Sequence, residues 1–200
     1  MVSLDEALRL TGLAGDAARP GAVSRADAAR LHGLVTDNIA FLWRSMIRLG
    51  VPRADADDAV QQVFLVASRK LASIEAGKER AYLFGAAFRI AHRARRTHQR
   101  RREVLEGEPQ EQVDPAPNAE DLVDRAQARA ALDAILDTMP LELRAVFVLF
   151  ELEQLSIPEI APMLDVPEGT AASRLRRARE HFQTAVRRLE AQRTHRGERS

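Results

Sequence analysis

The sequence predicts an all-α fold in which two small helical domains are joined by an acidic flexible linker, the C-terminal domain being a helix-turn-helix. Three observations predict it. Aromatic residues make up only 4% of the chain against 46% hydrophobic residues, so its cores are aliphatic. Long stretches are rich in Ala, Leu, Glu and Arg, all good helix formers. Within them apolar residues recur at three- and four-residue spacing, and Gly and Pro gather in a few places between them.

Residues 1–24 form an N-terminal extension. Ser3 and Glu6 make a capping-box pattern ahead of Leu8 and Leu10, but Gly12, Gly15, Pro20 and Gly21 break it into a partly ordered tail. Residues 25–102 read as the first domain. A long helix from Ala28 to Leu49 stops at Gly50, with Pro52 just beyond. A second helix runs from Ala54 to Leu71, and a polar loop around Gly77 spans Ile74 to Arg80. A third helix extends from Ala81 to about Arg102. Residues 103–120 carry Gly107, Pro109, Pro115 and Pro117 among acids, the composition of an extended linker. Residues 121–190 form the second domain and 191–200 a polar tail.

The formal net charge of +1 conceals segregation. Arg89 to Arg102 is basic with no acid, Glu103 to Asp124 acidic with no Lys or Arg, and Arg174 to Arg188 basic again. Two polyanion-binding surfaces joined by an acidic connector fit this pattern. The absence of cysteine excludes disulfides, thiolate zinc sites and a cysteine nucleophile, and suits a reducing cytoplasm. Asp5 and Glu6 stand where a signal peptide needs a basic and then an apolar run. No apolar run approaches the roughly 18 residues of a membrane span, so the expected location is cytoplasmic. His32, His92, His98, His181 and His195 show no ligand spacing, and the chain has neither a glycine-rich phosphate loop nor a nucleophile elbow. The expectation is a protein that is not an enzyme, with no metal and no cofactor.

Three constellations point to function. In the first, Ser156-Ile-Pro-Glu159 is a capping box with Pro158 in the tolerant first turn. Asp165-Val166-Pro167 then breaks the chain, and Ala171, Leu175, Ala178 and Phe182 form the buried stripe of the next helix. Its other face carries Gly169, Thr170, Ala172, Ser173, Arg176 and Arg177, with Arg174 on the flank. Small residues at the helix start allow close approach to base edges, and the arginines reach bases or phosphates, as in a helix-turn-helix. Two positions fit poorly: Pro162 removes a helix hydrogen bond, and Asp165 sits where glycine usually adopts a left-handed conformation.

In the second, Val60, Val63, Phe64, Ala67 and Leu71 point inward, while Asp58, Gln62, Leu65 and Arg69 form an outer stripe like the centre of a protein-binding face. Asp55, Asp57 and Asp58 sit at a helix start, where acids complement the helix dipole. In the third, Leu83, Ala87, Ile90 and Ala94 point inward. Tyr82, Gly85, Phe88, Arg89, His92 and Arg96 occupy the other sides, a mixture suited to stacking on unpaired bases and attracting phosphate.

These residues resemble the small, extracytoplasmic-function (ECF) type of bacterial RNA polymerase sigma factor, over roughly residues 30–102 and 125–185. DADDAVQQVFLVASRKL looks like the family's core-binding helix, and AYLFGAAFRIAHRARR like its promoter-melting and upstream-hexamer helix. TMPLELRAVFVLFELEQLSIPEIAPMLDVPEGTAASRLRRARE looks like its fourth conserved region. The resemblance implies that Asp58, Gln61, Gln62 and Leu65 contact the clamp helices of core RNA polymerase. It implies that the loop Ile74 to Arg80, with Tyr82, Arg89, Arg93 and Arg96, reads and opens the minus-ten element of promoter DNA. Thr170, Ser173, Arg174, Arg176 and Arg177 would read the minus-thirty-five element. The linker would thread through polymerase. Independently of the resemblance, the segregation of charge predicts that in the free chain the acidic linker masks the two basic surfaces. An anti-sigma factor is a further partner implied by resemblance alone. The sequence departs from the family at Tyr82, Arg89, His92, Arg93 and Ala172, where tryptophan, asparagine, an apolar residue, an acid and lysine are more usual. The alternative is a helix-turn-helix regulator that does not engage core polymerase.

Overall fold

The computed structural model describes residues 25–104 and 120–197. The Ser3–Glu6 capping box, the linker residues 105–119 with their masking role, and residues 198–200 lie outside the described residues. The described chain is helical: α1 (Arg25–Arg48), α2 (Arg53–Arg69), α3 (Glu79–Val104), α4 (Glu120–Thr138), α5 (Leu141–Phe147), α6 (Ile157–Met163) and α7 (Glu168–Gly197).

Helix α1 buries Leu31, Leu34, Val35, Phe41, Leu42 and Met46, the spacing of one helix face. It stops at Gly50, whose φ of 91° suits a residue without Cβ. Helix α2 buries Ala56, Ala59, Val60, Val63, Phe64 and Ala67 and ends at Arg69; Leu71–Ser73 is a separate 3₁₀ turn. The expected polar loop is shorter than its composition suggests, because α3 already begins at Glu79. An acid in the first turn favours that start. The loop is tied to α1 by Arg30, which donates to the carbonyls of Leu71 (3.1 Å) and Ile74 (2.5 Å) and to Glu79 Oε1 (3.2 Å).

Helix α3 is enclosed more fully than an amphipathic reading predicts. Leu83, Phe84, Ala86, Ala87 and Ala91 are all buried, while Ile90 and Ala94 are only partly so. The reason lies in the second half of the chain: α1 and α2 cover one side of α3, and α6 packs against another. A single hydrophobic cluster therefore joins Leu42, Val63 and Leu83 to Val146, Leu149, Ile160, Met163 and Leu175. A smaller cluster of Leu136, Met139, Leu143, Phe147, Val148 and Ala178 lies under α7, where Phe147 stacks on Phe182 with centroids 5.0 Å apart.

Helix α5 widens into a π-helical turn, Val148–Leu152, which the sequence pattern did not reveal. The N–H of Glu153 reaches back to the Val148 carbonyl (3.0 Å), and Gln154 takes a φ of 58°. The extra residue in the turn changes which way the next side chains point. Glu151 meets Arg179 on α7 (2.7 Å), while Glu153 meets Arg44 (3.2 Å) and Arg48 (2.6 Å) on α1.

Candidate nucleic-acid and partner-binding interface

The helix-turn-helix is assembled from local hydrogen bonds. The backbone N–H and the hydroxyl of Ser156 both donate to Glu159 Oε2, at 2.8 and 2.6 Å, fixing the start of α6. These two bonds hold the Glu159 carboxyl below its ordinary value, the hydroxyl contributing most. Pro162 lies inside α6, and both it and Pro158 are exposed, so the missing hydrogen bond falls on a face open to water. Asp165 has a φ of 53°, and the next N–H, of Val166, donates to the Ala161 carbonyl at 3.1 Å. That bond closes a Schellman-type turn with aspartate in the glycine position.

Helix α7 starts on Pro167, whose carbonyl accepts from Thr170 (2.9 Å) and Ala171 (3.0 Å). Ala171, Leu175 and Ala178 are buried and Phe182 partly so, which sets the rotation of the helix. Ser173, Arg176 and Arg177 are consequently exposed, and Thr170 and Arg174 half-buried at the edge. All five expected minus-thirty-five residues thus share the N-terminal turns of one helix, three of them open and two flanking its buried stripe. Arg176 is partly engaged, pairing with Glu180 at 3.0 Å.

On α3, Arg89, Arg93 and Arg96 are exposed at helical spacing, an open row of guanidinium groups. Tyr82, Gly85 and Phe88 are half-buried. A Cβ at Gly85 would lie 3.4 Å from the Met163 carbonyl, so α6 passes directly over this part of the helix. Arg80, just before it, lies over the Phe41 ring at 4.0 Å.

On α2, Asp58 and Gln62 are exposed, and Gln61 and Leu65 half-buried, along one continuous stripe. Asp57 is drawn out of the acidic set by Trp43, whose Nε1 donates to its Oδ1 at 3.0 Å. Val66, 39% exposed, adds apolar surface that the sequence reading missed; its position four residues after Gln62 is the signal that marks it.

The family model described as Sigma-70, region 4 matches residues 129–182, from within α4 to within α7. The ECF RNA polymerase sigma-E factor of Escherichia coli is 32% identical over 154 residues, which cover 71% of this chain and 79% of that protein. The chain belongs to the ECF sigma factors of the sigma-70 family. This sigma factor is also 30% identical over 150 residues to ECF RNA polymerase sigma factor SigE of Mycolicibacterium smegmatis, a match covering 74% of the chain and 58% of that relative's length. Among solved structures, the sigma factor RpoE in complex with the anti-sigma factor NepR from Bartonella quintana has a TM-score of 0.58 at 24% identity, covering 76% of this sigma factor and 94% of that chain. CnrH in complex with the cytosolic domain of CnrY has a TM-score of 0.58 at 21% identity, covering 82% and 97%. These likenesses show the fold. Among the described residues of the sigma factor, no helix is long and apolar enough to cross a membrane.

Proposed function

We propose that this sigma factor binds core RNA polymerase, directs it to a set of promoters and helps open the DNA, working in the cytoplasm without a catalytic centre of its own. The observation that carries this reading is the orientation of α7. Its buried stripe turns Ser173, Arg176 and Arg177 outward beside Thr170 and Arg174 at the end of a capped helix-turn-helix. This is the geometry that inserts a recognition helix into a major groove. In this reading those five residues select the minus-thirty-five element. Tyr82, Arg89, Arg93 and Arg96, with the loop before α3, serve the minus-ten element. Opening needs no fuel where flipped bases gain stacking and hydrogen bonds that offset their unpairing.

The α2 stripe of Asp58, Gln61, Gln62 and Leu65 is the core-binding face. It separates this reading from a helix-turn-helix regulator that acts without polymerase. Residues 25–102 and 121–190 are the two functional domains, with 103–120 linking them. An anti-sigma factor is the expected regulator, in keeping with the partner named for the similar RpoE structure. The test mixes the purified chain with core polymerase and a promoter library and scores run-off transcripts. Specific transcripts and co-elution with core are expected; the absence of both would overturn the reading.

A further inference from the structure

Helix α7 outruns the elements that cover it. Its buried stripe of Ala171, Leu175 and Ala178 continues at three- and four-residue spacing through Phe182, Ala185 and Leu189, all half-buried. Helices α5 and α6 have seven residues each and so are only about 10 Å long, too short to follow α7 over its 30 residues. Phe182 still packs on the smaller hydrophobic cluster, but Ala185 and Leu189 belong to neither cluster. With Ile135 on α4 and Leu143 on α5 they line an open groove. Its α7 edge carries Arg177, His181 and Arg188, a line at four- and seven-residue spacing.

The N-terminal extension carries a motif of matching size. Ser3 and Glu6 make a capping box, and Leu4, Ala7 and Leu8 share one side of the helix it predicts, with Asp5 and Glu6 off that side. So short a helix is marginal in water, where an isolated helix needs roughly 12–15 residues, and it requires an apolar surface to form against. As helix, Ser3 to Leu10 spans about 11 Å, against about 17 Å along α7 from Arg177 to Arg188.

We propose that residues 3–10 dock as a short helix in the groove between α4 and α7, laying Leu4, Ala7 and Leu8 over Ala185 and Leu189 and bringing Asp5 and Glu6 to the edge of Arg177 and Arg188. Docking completes the apolar cover of α7 and steadies its second half. The charges favour this occupant: Glu180, the acid that lines the groove, is already paired with Arg176 at 3.0 Å, so the edge is positive. A second copy of α7 would set Arg177, Arg187 and Arg188 against their own kind, which is unfavourable. The tether is long enough. Helix α1 is about 35 Å long, and its end at Arg48 is bonded to Arg144, which also holds Asp137, the neighbour of the groove residue Thr138. The stretch from Thr11 to Ser24 reaches up to about 46 Å when extended.

The chain has no cysteine, so a nitroxide on Arg9→Cys marks the segment alone, on the side away from its leucines. In the full-length chain at low concentration, the label should broaden the methyl resonances of Ala185 and Leu189. Leu4→Glu/Leu8→Glu in the same labelled chain should abolish that broadening. It should also speed amide exchange over residues 185–189 by about threefold to tenfold. Ala185→Glu, with the segment intact, should abolish the broadening at Leu189 as well. Circular dichroism confirms that the helices persist in both variants.

Broadening in the parent chain that is lost in both variants is the expected result. No broadening in the parent overturns the docking, and so does broadening that survives Leu4→Glu/Leu8→Glu, since the label then merely passes by on its tether. Loss on the leucine substitutions but not on Ala185→Glu places the segment on another surface and overturns it too. Mixing the nitroxide chain with an isotope-labelled chain that carries no nitroxide reads the other occupant. Broadening there, growing with concentration, assigns the groove to a second copy and overturns the proposal. These measurements involve neither DNA nor polymerase, so their failure leaves the proposed function standing.

Discussion

Arg144 caps the end of a helix to which it is not connected. Its Nε donates to the backbone carbonyl of Arg48, the last residue of α1 and 96 positions earlier in the chain. Its Nη1 donates to Asp137 Oδ1 at 2.7 Å. The side chain is only 2% exposed, and burial pulls its guanidinium below the ordinary arginine value. The last carbonyls of a helix lack partners within it and carry partial negative charge, so a distant cation is a fitting cap. Glu153 then gathers the side chains of Arg44 and Arg48 over the same end of α1.

Replacing Arg144 tests what that cap contributes. Arg144→Met keeps most of the volume and removes the charge, but leaves the Arg48 carbonyl without its donor. An unsatisfied buried acceptor costs about 1–3 kcal/mol, and a loss near 2 kcal/mol is expected in urea unfolding. Asp137→Asn should cost about 0.5 kcal/mol or less, because the Asp137 side chain is 69% exposed and such pairs contribute little. Equal losses from both substitutions would show that the ion pair, and not the helix cap, is what matters.

The contrast between those residues also shows what the sequence makes legible. Helix positions follow from apolar spacing, and α1, α2 and α7 bury the stripes that the spacing picks out. The unusual backbone at Asp165 was readable too, since a Schellman turn wants glycine and the chain offers aspartate. Arg144 gave no local signal: it reads as one more charged residue in LELRAVF, and its burial depends on α1, far away in sequence. The π-helical turn after Phe147 is equally silent, although it aims Glu153 at α1. The half-burial of Gly85 was missed for the same reason, because α6 passes over it from the other half. Local periodicity marks the surface a helix could present, and long-range packing decides which part stays open.

Arg30 offers a test of the loop before α3. With donors on two loop carbonyls and on Glu79, it fixes Ile74–Lys78 against α1. Arg30→Lys keeps the charge but loses the planar fork that serves three acceptors. The Arg30 side chain is 34% exposed, so the expected stability loss is modest, about 1 kcal/mol. Hydrogen exchange at the amides of residues 75–78 should quicken, and discrimination among minus-ten sequences should relax while minus-thirty-five preference is kept. Unchanged exchange would exclude a positioning role.

The division of labour along the chain can be separated by two substitutions. Arg176→Ala removes an exposed guanidinium from α7 and should weaken minus-thirty-five selection by about 1–3 kcal/mol if it reads a base, without altering core binding. Leu65→Ala trims the centre of the α2 stripe and should weaken co-elution with core polymerase by about 1 kcal/mol or more, leaving promoter preference unchanged. Electrophoretic shift and co-elution assays on both variants decide it. If each variant lowers both activities equally, the surfaces are not independent.

Asp165 is a backbone test independent of function. Holding a non-glycine residue left-handed costs about 1–2 kcal/mol, less for aspartate, which tolerates the region better. Glycine relieves that cost but loses about 0.5–1 kcal/mol in chain entropy on folding. Asp165→Gly should therefore be stabilising by only about 0.5 kcal/mol, whereas Asp165→Val, β-branched at the same φ, should destabilise by about 1–2 kcal/mol. Thermal unfolding of the two variants distinguishes them, and a tolerated valine would mean that the turn relaxes to a different conformation.

The cap of α6 makes a prediction in pH. The Glu159 carboxyl is held low first by the Ser156 hydroxyl and then by the Ser156 N–H, with a smaller pull from Arg80. A carboxyl whose folded pKa is depressed contributes stability that is present above its ordinary value of 4.5 and lost as pH falls through the folded value. The loosening of α6 therefore belongs to the acid side of that value and not to neutral pH. Ser156→Ala removes the larger cause and leaves the N–H, so the Glu159 pKa should rise part of the way back and the acid loosening begin at higher pH. Carbon-detected NMR titration of the carboxyl measures this directly. Glu79, held low mainly by its own backbone N–H, should titrate unchanged in the same variant. A Glu159 titration unmoved by Ser156→Ala would show that the hydroxyl does not hold the carboxylate.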